Sequence, residues 1–269
     1  MDEITACMIV KNEDRFVWYS ISSILSYVDR FIIFDTGSTD KTIEIIKIFK
    51  SPKIIFRPKK QATPELLTAY RQEQAEMIKK GWLWIVDADE VYPTKTAEKV
   101  ISVIRSRPDL DGIIIHRYDL LGDIYHCQDE SVGIYHQFGR IGHYVLRLIN
   151  KNHFPKLQVK GEYPAEYFAQ NGRSIKENVK DRFAFIEERI FHAMYLQRSA
   201  KGRFLFDVLN RQKYKIELGS LIPNREIPEI FFKSRPSIIP DVKSNRTFIY
   251  YLLAFLITPI KKIKRKFIS

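Results

Sequence analysis

The chain has 269 residues, 45% of them hydrophobic and 28% charged. That is long enough for one α/β domain or two small ones, and balanced enough to exclude wholesale disorder. Its formal net charge of +12 points to anionic partners.

Cys7 and Cys127 are the two cysteines. They supply neither a metal-type spacing nor a disulfide framework, which favours a reducing compartment. The opening "MDEITACMIVKNE" has no basic segment leading into an apolar stretch, so no secretory signal is expected.

In chain order, "ITACMIV" (4–10) is an apolar run of strand length, and "FVWYSISSILSYV" (16–28) carries apolar residues at helical spacing. "RFIIFD" (30–35) predicts a second strand. A helix follows in "STDKTIEIIKIFK", with Ser38, Thr39 or Asp40 able to cap it and Ile43, Ile46 and Phe49 on one face. "KIIFRP" is a third strand. Thr63-Pro64-Glu65 starts a helix with a capping hydroxyl, a proline at the first helical position and an acid in the first turn. Leu66, Tyr70, Met77 and Ile78 form its apolar stripe, and Gly81 stops it. "WLWIVD" is a fourth strand, Thr94 opens a helix to about Arg105, and "DGIIIHRYDLL" returns as a strand. Strands alternating with helices predict a mostly parallel sheet covered on both faces.

Beyond residue 120 the pattern loosens into "DIYHCQDESVGIYHQFGRIGH", which is aromatic, His-rich and turn-rich. A strand is predicted at 144–150, then helices rich in Arg, Phe and Tyr. No internal repeat or low-complexity linker interrupts the chain, and the first boundary falls near residue 220. The tail "FIYYLLAFLITPIKKIKRKFIS" has five basic residues, Lys261, Lys262, Lys264, Arg265 and Lys266, among its last nine. Its apolar run, 248–260, has 13 residues, against roughly 18 for a spanning helix. It suits a helix lying in a bilayer interface, each basic residue drawn to anionic lipid by about 1 kcal/mol. The alternative is a terminal helix packed on the domain with a frayed basic end.

In an open α/β sheet, ligands sit beyond the carboxyl ends of the strands. Three such ends are polar: Lys11-Asn12-Glu13 after the first strand, 35–40 (DTGSTD) after the second, and Asp87-Ala88-Asp89-Glu90 after the fourth. One acidic loop is an ordinary solvated strand end; three on one edge point to a site. Burying charge is costly unless it is paired or holds a metal.

"MIVKNE", "FDTGSTDKT" and "WIVDADEVYP", in that order and spacing, resemble the family 2 glycosyltransferases. The resemblance is close over about 3–95 and looser to about 205, and is nearest to small bacterial members that extend surface polysaccharide or lipopolysaccharide cores. It implies the GT-A fold: a Rossmann-like, mostly parallel central sheet with helices on both faces, here with a C-terminal helical extension. Residues 1–220 would form the transferase domain, with a donor-binding half of about 1–118 and an acceptor half of about 119–220. Residues 221–269 would add the extension and its basic, membrane-associating tail.

The implied reaction moves a sugar from a nucleoside diphosphate donor, expected to be a UDP-sugar, with inversion. The acceptor would be a glycan or lipid-linked molecule in cell-surface polysaccharide synthesis, at the cytoplasmic face of the plasma membrane. Mg²⁺ or Mn²⁺ is the implied cofactor, because Mg²⁺ typically takes one or two carboxylates and completes its shell with phosphates and water. Asp89 is the expected direct ligand, with Asp87 reaching the ribose or a metal-bound water.

Asp35 matches the family acid that reads the nucleobase, a role suited to a group that only accepts hydrogen bonds; it can also simply cap the Gly37-Ser38 turn. Asn12 and Glu13 fall where the family holds base and ribose, and Lys11 can neutralise phosphate. Arg71 matches an Arg that contacts the donor, although an Arg on a helix surface is common.

The general base must reach the acceptor hydroxyl. Glu166 and Glu162 are the candidates, Glu166 preferred, though Ala165 stands where the related pattern has His. His192 resembles a His that lies over the diphosphate or metal; read alone, it is a structural residue on an amphipathic helix. Arg198, Lys201 and Arg203 can hold phosphate or a lipid-linked acceptor. The other five histidines have no ligand-like pairing.

Other classes fit less well. A nucleotidyltransferase needs a Gly-rich, Arg-containing loop after the first strand, and "MIVKNEDRF" has no Gly. No Gly-x-Gly-x-x-Gly follows any strand, which excludes a nicotinamide-dependent dehydrogenase. A basic peripheral membrane protein leaves the polar strand ends unexplained, and the tail's Phe, Leu and Ile favour lipid over nucleic acid. A catalytically inactive, nucleotide-binding relative is the remaining alternative.

Overall fold

The computed structural model describes residues 2–61, 63–132, 135–177, 180–196 and 215–268. In chain order its elements begin β1 (Ile4–Val10), α1 (Val17–Ile24), β2 (Arg30–Asp35), α2 (Thr42–Ile48), β3 (Ile54–Pro58) and α3 (Pro64–Glu76). They continue β4 (Trp82–Ile85), β5 (Glu90–Val91), α4 (Thr94–Ser106), β6 (Gly112–Leu121), β7 (His126–Cys127), β8 (Tyr135–Gln137), β9 (Arg140–Gly142) and β10 (Tyr144–Asn150). The rest are β11 (Gln158–Lys160), β12 (Tyr167–Gln170), β13 (Arg173–Ser174), β14 (Phe183–Tyr195), β15 (Ser220–Leu221) and α5 (Phe248–Ile268).

The main sheet runs β15-β7-β6-β10-β4-β1-β2-β3, with β14 paired to both β5 and β6. β4, β1, β2 and β3 are parallel, as are β6 and β14, while β10 runs antiparallel between β4 and β6. Alternation along the parallel strands explains the layers. Ala6, Met8, Phe31, Ile33, Trp82 and Trp84 join one apolar cluster with residues of α1, α2 and α4. Their neighbours Cys7, Ile32, Phe34, Leu83 and Ile85 join a second with Ala75 of α3 and Ile78 just after it. A sheet covered on both faces must be apolar on both, so its strands read as continuous hydrophobic runs.

The local signals operate as chemistry predicts. Leu66 N–H donates to Thr63 Oγ1 at 3.3 Å, capping α3. Gly81, at φ +86°, would place a Cβ 2.1 Å from the Glu3 carbonyl oxygen, so only glycine fits between α3 and β4.

One expectation is corrected. Among the described residues between 151 and 196 there is no α-helix: β11, β12 and β13 form a small antiparallel sheet, and β14 is a 13-residue strand. His192 therefore stands on a strand rather than an amphipathic helix. The run "FAFIEERIFHAMY" imitates helical spacing, but its pairing along β6 decides the backbone. Residues after 220 pack on the main core: Ile222, Ile227, Phe231, Ile239 and Val242 belong to its larger cluster, and Tyr19 donates to the Pro240 carbonyl at 2.9 Å.

Candidate active site

The parallel register brings the polar strand ends together. Val10 lies beside Asp35, and Cys7 beside Ile85, two residues before Asp87. The ends of β2 and β4 are thus separated only by β1, about 10 Å across.

At the end of β2, Asp35 is 1% exposed. Its Oδ1 accepts from Gly37 N and Ser38 N, both at 3.0 Å, while Oδ2 is buried without a hydrogen-bond partner among the described residues. The capping role and a spare acceptor thus coexist on one carboxylate. Gly37 makes the turn possible at φ +88°. The same turn clamps the end of β1: Asn12 N donates to Ser38 Oγ at 2.9 Å, and Thr39 N donates to Asn12 Oδ1 at 2.7 Å. Glu13 is buried; its N–H donates to Thr42 Oγ1 at 2.8 Å, and its carbonyl accepts the first N–H groups of α1. Lys11 is exposed.

At the end of β4 the acids have cationic partners from distant segments. Arg147, on β10, donates to Asp87 Oδ2 at 2.8 Å and to Glu90 Oε1. Burial alone would raise the Asp87 carboxyl, but Arg147, then Arg71 and His192, hold it well below the usual carboxylate range. Glu90 is fully buried, and there burial outweighs Arg147 and pushes the carboxyl up.

Asp89, 5% exposed, faces His192, whose Nε2 lies 3.5 Å from Asp89 Oδ2. The backbone fixes this approach: Ala193 N donates to the Asp89 carbonyl at 2.8 Å, and His192 pairs with Glu90 across β14 and β5. On its other side His192 Nδ1 is 2.8 Å from Asp119 Oδ1. Burial would lower the imidazole, but Asp89 and, despite Arg117, Asp119 raise it above its ordinary value. Asp119 is buried and bonded to Arg117, with Nε 2.9 Å away, and His143 Nδ1 lies 3.8 Å off.

Arg71 pairs with Glu166, and the two side chains are 13% and 12% exposed; Glu166 Oε2 is buried without a hydrogen-bond partner among the described residues. The Arg71 charge also helps to hold the Asp87 carboxyl down. Glu162 is exposed, and neighbouring Glu65 at the start of α3 pushes its carboxyl up. Arg198, Lys201 and Arg203 lie outside the described residues.

Asp119, Arg147, Arg117 and His143 received no role from the sequence. A signal existed for two of them. Arg147 is the lone charge in the apolar run "YVLRLIN", and Asp119 the acid near the end of "DGIIIHRYDLL". Charges in central strands require buried counter-charges.

Among the described residues no three His, Cys, Asp or Glu side chains form a closed ligand set. The donors still suit a nucleotide-associated Mg²⁺ or Mn²⁺, for which one or two carboxylates suffice. The Asp119–His192 contact has the same form as the carboxylate contacts that orient metal-ligating imidazoles.

The family model described as "Glycosyl transferase family 2" matches residues 5–168. An uncharacterized glycosyltransferase of Rickettsia felis is 28% identical over 152 residues, 56% of this chain and 49% of its own length. One of Rickettsia bellii is 29% identical over 150 residues, 55% of this chain and 46% of its own. The chain thus spans about half the length of these relatives. Among solved structures, glucosyl-3-phosphoglycerate synthase of Mycobacterium tuberculosis is 14% identical with a TM-score of 0.45, covering 78% of this chain and 75% of that one. Residues 1–349 of Staphylococcus aureus TarS are 12% identical with a TM-score of 0.43, covering 58% and 51%.

Proposed function

We infer the reaction from one premise: the chain belongs to glycosyl transferase family 2 and has that family's GT-A architecture. The activity is transfer of a sugar from a nucleoside diphosphate sugar, a UDP-sugar, to a glycan or lipid-linked acceptor, with inversion. The cellular setting is cell-surface polysaccharide synthesis at the cytoplasmic membrane face. The observation that carries the reading is the pair of acidic strand ends one strand apart: Asp35 with a buried, unpartnered oxygen, and Asp89 set against an oriented imidazole.

Each residue then has a task that its surroundings permit. Asp35 Oδ2 accepts an N–H from the base, while Oδ1 stays engaged by its own turn. Asn12 and Glu13 line the base and ribose side, and Lys11 adds positive charge to the donor. Asp89, with Asp87 and His192, would hold Mg²⁺ or Mn²⁺, which as a Lewis acid stabilises the departing diphosphate. Arg147 fixes Asp87 as an anion, and Arg71, whose charge also favours that anion, pairs with Glu166. Glu166, rather than exposed Glu162, takes the proton of the acceptor hydroxyl. The hydroxyl oxygen bonds to the anomeric carbon as the bond to the diphosphate oxygen breaks, and the nucleoside diphosphate leaves with that electron pair.

The test is thermal unfolding with nucleoside diphosphates and their sugars, with and without Mn²⁺. A ligand at 100 times its dissociation constant adds about 2.7 kcal/mol to stability. A Mn²⁺-dependent rise with UDP or a UDP-sugar is expected. No rise with any nucleotide, from a folded sample, overturns the reading; a rise without sugar transfer to any acceptor identifies a nucleotide-binding protein instead.

A further inference from the structure

The helix α5 is built inside out. A surface helix ordinarily turns its apolar stripe to the core and its polar face to water. Here the inward stripe is Tyr250, Ala254, Thr258, Lys261 and Arg265, spaced at three or four residues, and most of its contacts are polar. Tyr250 donates to the Glu217 carbonyl at 3.0 Å, and Leu218 N donates to Thr258 Oγ1 at 2.9 Å. Lys261 and Arg265 reach Glu217 Oε1 at 3.3 and 2.7 Å. The outward side carries Phe248, Leu252, Phe255, Leu256, Ile263 and Phe267, between 52% and 85% exposed. A contiguous apolar patch of this kind marks an interaction surface.

We propose that this outward face docks on an anionic lipid bilayer, with the helix lying along the interface. Charge complementarity selects the occupant. Lys261 and Arg265 are committed to Glu217, but Lys262, Lys264 and Lys266 are exposed beside the same apolar row, where they meet lipid phosphates. At 21 residues the helix is about 31 Å long, and among the described residues no helix is long and apolar enough to cross a membrane. Burial of an apolar face beside a basic cluster is the arrangement of interfacial helices.

The segment leading into the helix is also fastened to the end of β6. Arg246, just ahead of it, donates to the Leu121 carbonyl through Nε at 3.2 Å and to the Leu218 carbonyl at 2.6 Å. Leu121 ends β6, two residues beyond Asp119. Docking therefore holds the carboxyl end of β6 at the bilayer. Resting on the transferase reading for this step, the acceptor class narrows to a lipid-linked one presented at that surface.

The experiment is co-sedimentation of the full chain with phosphatidylcholine vesicles, with and without phosphatidylglycerol. Binding is expected only with phosphatidylglycerol. K262E/K264E/K266E should lose at least roughly 100-fold in partitioning, since removal of the three cations alone is worth about fivefold each, and F248S/L252S/F255S should lose binding as well. Both variants alter exposed residues and should keep the thermal midpoint and any UDP–Mn²⁺ shift. Equal sedimentation of wild type and variants overturns the proposal. So does a concentration-dependent doubling of mass in light scattering that F248S/L252S/F255S abolishes, which would assign the face to a second copy. Vesicle binding without a nucleotide shift would leave the docking surface standing and remove the transferase reading.

Discussion

The ends of β2 and β4 lie one strand apart and hold their acids by opposite means. Asp35 is held by its own turn: two backbone N–H groups within three residues fix one oxygen and leave the other over. Asp87, Asp89 and Glu90 are held by Arg147 and His192, which follow them by dozens of residues. The first end is self-contained, and the second exists only once β10, β6 and β14 have assembled around it. Substitutions that separate local from assembled support should thus have different costs.

The largest effect is expected from Asp89→Asn. On the proposed reading, losing the carboxylate that faces His192 removes the direct metal ligand, and turnover with Mn²⁺ should fall by about 10³-fold or more, if Lewis-acid stabilisation is worth several kcal/mol. Initial rates with the donor found by thermal shift test this, with circular dichroism checking the fold. Normal turnover would remove Asp89 from the site.

Next comes Arg147→Met, aimed at the assembled end. It leaves Glu90 fully buried without its cation, and breaking one side of a buried pair costs about 3–5 kcal/mol. Urea unfolding should show that loss in the midpoint. A shift below about 1 kcal/mol would mean that Glu90 accepts a proton or a water without strain, and that the network is not what supports the end of β4.

Asp35→Asn is the matched test of the self-contained end. The amide oxygen can still accept from Gly37 and Ser38, so stability should change by less than about 1 kcal/mol. Nucleotide affinity should fall about 10- to 100-fold, the worth of a charge-assisted hydrogen bond, read by calorimetry. Unchanged affinity would leave Asp35 as a turn residue and nothing more.

The same contrast explains what was legible in the sequence. The alternation of strands and helices, the Thr63 cap, the Gly81 stop and the turn at Asp35 are set by residues within a few positions of one another. Composition and spacing reveal such features directly. Arg147 and Asp119 look like anomalies inside apolar strands until pairing supplies their partners, and β14 reads as a helix because its amphipathic spacing competes with a strand pairing invisible to local periodicity. His192 was singled out by resemblance, but its strand and its Asp119 partner required the fold.

The histidines carry the argument one step further, because identical side chains respond in opposite directions. His192 lies between Asp89 and Asp119 and is raised. His116, three residues before Asp119 on β6, is buried against Tyr144 with ring centroids 4.2 Å apart. Burial, helped by Arg189 and His143, lowers it to about 4 despite Glu130 and Glu187. A histidine lowered in the fold takes up its proton more readily when unfolded, so its contribution is fully present above the unfolded value of about 6.5 and is lost as the pH falls towards 4. Wild-type stability should decline between pH 6.5 and 4.5 more steeply than that of His116→Gln, which has no proton to gain there. Urea midpoints across that range test it: parallel curves would show that folding does not change the proton affinity of His116 and that its burial against Tyr144 does not set its protonation.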